Sequence, residues 1–186
     1  YYKEQLAGTE DDYAIYAPSP FDVRNRRIFV ARDVSTKYTR RNYVEYEKVV
    51  HYIYEFVIRK VGNYLVFFPS YQYMKTIYDL IEGLEWQEKF KESEFIIQNN
   101  HMTEGEREDF LKSFEENPAK VRIGFCVMGG IFSEGIDLKK DRLIGTVIVG
   151  TGLPMVCDDR ELFRTYYEER EGKGFEYAYL YNGMNK

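Results

Sequence analysis

The chain is 186 residues long, 44% hydrophobic and 31% charged, with a formal net charge of −5 and an isoelectric point near 5.3. That length buries the core of one ordinary domain, and no run approaches the roughly 20 apolar residues of a membrane span. The acidic balance excludes a small basic module that holds nucleic acid by bulk charge.

The chain opens at Tyr1, without a Met and without the basic leader and apolar run of a signal peptide, which reads as a fragment of something longer. Residues 1–26 read as a lead-in to a single α/β core over 27–186. The first expected strand is Arg27–Ala31. It runs into the one basic concentration, Arg32 through Arg41, with Arg24, Arg26 and Arg27 just before it. Such a stretch suits a groove for single-stranded nucleic acid and equally a solvated face.

Tyr43, Tyr46, Val50, Ile53, Tyr54 and Val57 fall at helical spacing and predict a helix over Tyr43–Lys60 with most of these side chains in the core. Gly62-Asn63 stops it, and an apolar run predicts a strand at Tyr64–Phe68. A helix over Tyr71–Glu82 is closed by Gly83, and a strand follows at Glu94–Gln98. Thr103 precedes Glu106 by three, the pattern of a capping box, and opens a helix over Glu104–Phe114 that Asn117-Pro118 ends. Strands at Val121–Val127 and Gly145–Gly150 come next, then a helix over Asp158–Glu169. Glu176–Tyr181 reads as a strand or an ordered loop. The last residues, Asn182 to Lys186, carry no acidic or low-complexity tail, as though the fold continued. Short apolar strands alternating with amphipathic helices predict a parallel sheet covered on both faces, joined by right-handed crossovers.

Cys126 and Cys157 are too few for a disulfide framework and too far apart for a C-x-x-C site; a reducing, cytoplasmic setting is the plainer context. His51 and His101, the only histidines, lie in no H-E-x-x-H pattern, and no metal site is assigned.

Ligands of an open parallel sheet sit beyond the carboxyl ends of its strands. Four segments lie there: Pro69-Ser70-Tyr71, the Gln98–His101 turn, Gly129 through Asp137, and Gly150-Thr151-Gly152-Leu153-Pro154. The third clusters glycines, which let backbone approach a ligand, with Ser133, Glu134 and Asp137; it also suits a plain tight turn. Gly150-Thr151-Gly152 fails as a dinucleotide fingerprint because position 155 is Met. Phe132-Ser133-Glu134-Gly135 fails as a nucleophile elbow because Ile131 stands where Gly is needed. No G-x-x-x-x-G-K-[ST] occurs, so any ATP chemistry has to be shared with another domain.

Ser19-Pro20-Phe21, the run Tyr64 through Tyr71 (Y-L-V-F-F-P-S-Y), Ile131 through Leu138 (I-F-S-E-G-I-D-L), and Leu143 through Pro154 resemble the second helicase domain of the DinG/XPD-like superfamily 2 DNA helicases, in order and spacing over nearly the whole chain. S-P-F is the least specific of these signals, the motif IV-like run intermediate, and S-E-G-I-D, the motif V-like loop, the most specific.

The resemblance implies a RecA-like, P-loop-NTPase-type α/β domain without its own P-loop, acting on single-stranded DNA. It would share ATP and Mg2+ with the first motor domain of the same polypeptide. Ser70 and Tyr71 would touch the DNA backbone, the ring able to stack on a base, while Ser70 would also suit a helix cap. Lys37, Arg40 and Arg41 are further DNA candidates. Ser133, Glu134, Gly135 and Asp137 would lie at the interdomain cleft, with Asp137 nearest the ATP side. Their role would be coupling, since phosphoryl transfer rests on positioning and charge compensation. The family's unwinding runs 5′ to 3′ and serves DNA repair, and its iron–sulfur cluster, where present, belongs to the other motor domain. Its Q-x-x-G-R-x-x-R motif does not occur before Lys186, so no catalytic set is complete here and this chain alone is expected to hydrolyse no ATP. The residues by themselves also leave open a cofactor-binding α/β enzyme, which would bind its cofactor as this chain alone, and a non-catalytic interaction domain, which would bind a protein partner without ATP.

Overall fold

The computed structural model describes residues 8, 9, 11–13, 15–154 and 156–181; Tyr1, Met155 and the run from Asn182 to Lys186, on which readings above fall, lie outside the described residues. The chain forms two compact units, one up to Arg32 and one from Asp33 onward. In the first, Val23–Asn25 make a 3-10 turn capped by Asp22, whose carboxylate pairs with the Arg24 guanidinium at 2.5 Å. The strand expected at Arg27–Ala31 does not form. Ile28, Phe29 and Val30 are each about three-quarters exposed. Their composition suits a strand, but a strand exists only through its ladder, and these residues have no ladder partner among the described residues.

The second unit is built on a parallel four-stranded sheet in the order β2-β3-β1-β4, with β1 Asn63–Phe68, β2 Ser93–Ile97, β3 Val121–Val127 and β4 Gly145–Ile148. β1 pairs with both β3 and β4, and β3 also pairs with β2. The central strands are buried nearly throughout and the outer ones only in part, as expected of a sheet covered on both faces.

Successive side chains of a strand point to opposite faces, and the core divides accordingly. Tyr64, Val66 and Phe68 of β1 join Ile123, Phe125 and Val127 of β3 on one face. That face is covered by α1 (Tyr43–Val57), α2 (Tyr71–Ile81) and α3 (Leu84–Lys89), through residues that include Val50, Ile53, Met74, Ile77 and Trp86. Leu65 and Cys126 turn to the other face and pack with Phe110 and Phe114 of the segment built on α4 (Glu104–Lys112), and with Phe132. Burial pushes the Cys126 thiol up to about 12, so it stays protonated and inert.

Helix termini follow local chemistry. Asn42, Ser70 and Thr103 each accept a backbone N–H at the start of α1, α2 and α4, and the Thr103–Glu106 capping box is complete. Gly83 follows the end of α2 as expected, and it also occupies the N-cap of α3, which was not expected because its six residues are too few to show a period. Tyr43 is 61% exposed rather than in the core, its phenol donating to Glu47. α5 spans Asp158–Glu171 and ends at Gly172 in the left-handed region. Glu176–Leu180 forms a π-helical turn, not the strand or loop expected there. Among the described residues no helix is long and apolar enough to cross a membrane.

The basic stretch proves to be a clasp. Glu45, only 4% exposed, receives the Ser35 N–H at 2.6 Å and the Arg40 guanidinium at 2.8 Å, with Lys48 at 3.8 Å. Arg41 donates to the Thr36 carbonyl at 3.2 Å and lies over the rings of Tyr38 and Tyr73. Thr36 fills the space above Gly150, where a Cβ would come within 2.6 Å of its hydroxyl oxygen. Residues 35–41 are thereby held to α1, to α2 and to the end of β4.

Two measurements test these readings. The Ser35 N–H is the main cause that holds the Glu45 carboxyl below its ordinary 4.5; its stabilisation is therefore complete above that value and lost as pH falls through the lower folded value. Glu45→Gln is expected to melt lower than wild type at neutral pH, with the gap closing below about pH 4.5; a gap independent of pH would contradict the clasp. Gly124 faces Phe114 and Leu65, and a Cβ would stand 2.6 and 2.7 Å from their side chains. Gly124→Ala is expected to cost about 1–3 kcal/mol by overpacking, read from denaturant unfolding.

Candidate functional site

Because every strand runs the same way, every post-strand segment emerges at one edge of the sheet. The register makes that edge level: Phe68 pairs with Val127, Phe67 with Ile148 and Ile97 with Phe125. Each ladder continues one residue further, through Met128 N–H to Phe68, Val149 N–H to Phe67 and Gln98 N–H to Phe125. The adjacent strands β1 and β3 send the chain to opposite faces. After β1 it turns into α2 on the first face. After β3 it drops Phe132 under the second, stacked on Phe110 at 4.2 Å. Divergent exits from neighbouring parallel strands mark the switch point of such a sheet, and the crevice at the carboxyl ends there is the usual ligand position.

On the β1 side, Ser70 caps α2, its hydroxyl oxygen accepting the Tyr73 N–H at 3.2 Å; its own proton remains available to another acceptor. Tyr71 opens the helix, half-buried, and its phenol oxygen accepts from Gln98 Nε2 at 2.6 Å. Burial raises the phenol above its ordinary range and the Gln98 bond works the other way, so it stays neutral.

On the β3 side, the loop from Met128 to Lys139 divides its residues between the core and the outside. Ile131, Phe132, Ile136 and Leu138 turn inward to the second core, which leaves Glu134, Gly135 and Asp137 facing outward. Gly129 and Gly135 take left-handed backbone conformations, φ 70° and 71°. At Gly135 a Cβ would meet nothing within 4 Å, so the glycine serves backbone conformation rather than space. The Ser133 hydroxyl points back into the loop and donates to the Val127 carbonyl at 3.1 Å. Asp137 pairs with Lys139 at 2.9 Å with both side chains over 70% exposed, an interaction that contributes little.

Of the basic candidates, Arg40 and Arg41 are engaged in the clasp by their side chains, whereas Lys37 is exposed and joins the stretch through its backbone. Arg41 reaches α2 at Tyr73 rather than at Ser70 or Tyr71. Sequence reasoning marked the Gln98–His101 turn but gave Gln98 no part. The signal available was a polar residue closing an apolar strand; the structure makes it the bridge between the two sides, since its amide oxygen accepts the Val127 N–H at 2.9 Å. Among the described residues no group of three or more His, Cys, Asp or Glu could hold a metal ion. After β4, Leu153 and Pro154 line a shallow recess with Val156, Phe175 and Tyr179. The carboxylate at its border, Glu161, is held by the Tyr179 phenol and by Arg164.

Comparison with known proteins assigns this architecture. ATP-dependent DNA helicase CHL1 of Vanderwaltozyma polyspora is 27% identical over 130 residues, covering 66% of this chain and 15% of its own length. Two solved chains, designated XPD_APO and XPD_Helicase, share the fold with a TM-score of 0.57 each, at 19% and 23% identity; each match covers 80% of this chain, and 28% and 25% of the respective solved chain. The chain thus spans a small part of the relatives it matches. The family model described as Helicase C-terminal domain matches residues 53–186, from within α1 through both sides of the crevice, and the chain belongs to that helicase C-terminal domain family.

Proposed function

We propose that this domain is the second motor domain of an ATP-dependent DNA helicase, holding single-stranded DNA at one side of the crevice and closing on a shared nucleotide at the other. The observation that carries the reading is the level carboxyl edge, where the α2 turn and the motif V-like loop flank adjacent strands and are joined through one buried side chain. Support also comes from the relative's own name, which is that of an ATP-dependent DNA helicase.

The residues fit that chemistry in distinct ways. Ser70 and Tyr71 each keep a hydroxyl proton to donate to phosphate oxygens, and Lys37 adds an exposed cation. Arg40 and Arg41 act indirectly, by fixing the stretch that carries Lys37. Ser133 closes the motif V-like loop from within, so that Glu134, Gly135 and Asp137 face the partner motor domain. The Asp137–Lys139 pair is exposed enough to separate when a nucleotide cleft closes on it. ATP supplies the phosphoryl group, and its Mg2+ would enter with it, since the described residues of this chain form no metal-binding cluster of their own. In this reading the parent protein translocates 5′ to 3′ in an intracellular setting and serves DNA repair.

ATP hydrolysis by the full-length protein, with and without single-stranded DNA, tests the reading. DNA is expected to stimulate turnover. Asp137→Ala is expected to lower it at least tenfold, a loss of about 1.4 kcal/mol or more in transition-state stabilisation, without lowering the melting temperature. The 186-residue chain alone, which has no phosphate-cradling G-x-x-x-x-G-K-[ST] run, is expected to be inactive. Hydrolysis by the chain alone, or turnover indifferent to both DNA and Asp137, would instead favour a cofactor-binding enzyme.

A further inference from the structure

Gln98 stands immediately after β2 and is 2% exposed. Its side-chain oxygen accepts the Val127 backbone N–H at 2.9 Å, and its Nε2 donates to the Tyr71 phenol at 2.6 Å. The orientation of a side-chain amide is ordinarily a choice between two flips. Here the chemistry removes the choice. A backbone N–H can only donate, so the amide oxygen must face Val127, the NH2 must face Tyr71, and the phenol must accept. A phenol that accepts on its inner side keeps its own proton for an acceptor on the outer side.

The same residue, Val127, anchors the loop after β3. The Val127 carbonyl receives the Ser133 hydroxyl at 3.1 Å and the Gly130 N–H at 3.0 Å. A Cβ at Gly130 would stand 2.8 Å from Gln98 Nε2, so that backbone passes directly against the amide. One residue at the end of β3 thus carries the phenol's orientation on its N–H and the loop's closure on its carbonyl.

We propose that Gln98 is a positioning residue that sets Tyr71 as a hydrogen-bond donor to the phosphate backbone of a single strand and ties that grip to the loop that carries Glu134 and Asp137. The inference rests on the DNA-binding reading above. It differs from a simple packing role because it depends on the direction of the hydrogen bond, not merely on its presence.

The test measures the affinity of the full-length protein for a fluorescein-labelled oligothymidylate by anisotropy, with a melting temperature for each variant. Tyr71→Phe and Gln98→Met are each expected to weaken binding about tenfold, the size of one hydrogen bond to a charged acceptor. The pair together is expected to bind no more weakly than Tyr71→Phe alone, since residues acting through one contact are not additive. Gln98→Glu, measured at pH 8.5, keeps an acceptor for the Val127 N–H and so protects the fold, but its second oxygen accepts a hydrogen bond from the phenol, which then has no proton to offer outward. It is expected to bind as weakly as Tyr71→Phe. Wild-type affinity in Gln98→Glu, or a tenfold loss from Gln98→Met that persists on the Tyr71→Phe background, would overturn the proposal. If Tyr71→Phe binds normally while Lys37→Glu is weakened, the proposal falls and DNA binding at this edge stands; if neither is weakened, both fall.

Discussion

The parallel pairing of β1 with β3 is the constraint on which the remaining structure depends. It places Phe68 level with Val127, and with that one register both strands end together and both following segments leave from the same edge. A slip of one residue would turn Tyr64, Val66 and Phe68 to the wrong face and empty both cores at once. The two strands are also the most buried in the sheet, so the register is enforced by apolar packing on two sides, and the crevice inherits its geometry from the interior rather than from its own residues.

This ordering explains how polar groups at the edge can be few yet well placed. Gln98 and Glu45 are buried polar side chains, and each has its acceptors or donors satisfied by backbone N–H groups as well as by side chains. Buried polar groups cost little when fully paired and much when not. Glu45 fixes the stretch before α1, and Gln98 fixes the turn into α2 against the loop after β3.

Much of the architecture was legible in the sequence. Tyr64–Phe68 and Val121–Val127 are continuous apolar runs, which parallel central strands require, and the Thr103–Glu106 spacing announces its own helix. The motif V-like loop could be read because its glycines and the polar residues Ser133, Glu134 and Asp137 lie together in sequence, directly after an apolar strand. Arg27–Ala31 could not be judged, since an apolar run looks the same with or without a ladder partner. The basic residues 32–41 were legible as charge but not as a clasp. Their engagement depends on Glu45, which lies ten residues from Ser35, and on Tyr73 in another helix. Gln98 was hidden for the same reason: its partners are 27 and 29 residues away, and only the fold brings them to it.

Gly135 has φ 71° with open space where a side chain would begin. What excludes other residues there is backbone handedness and not crowding, and asparagine is the side chain that best tolerates that handedness. The signature of this loop in other chains is accordingly a torsion rather than a letter: S-E-N-I-D would describe the same turn, whereas a small β-branched residue in the same place, though nearly as compact, would describe a different one.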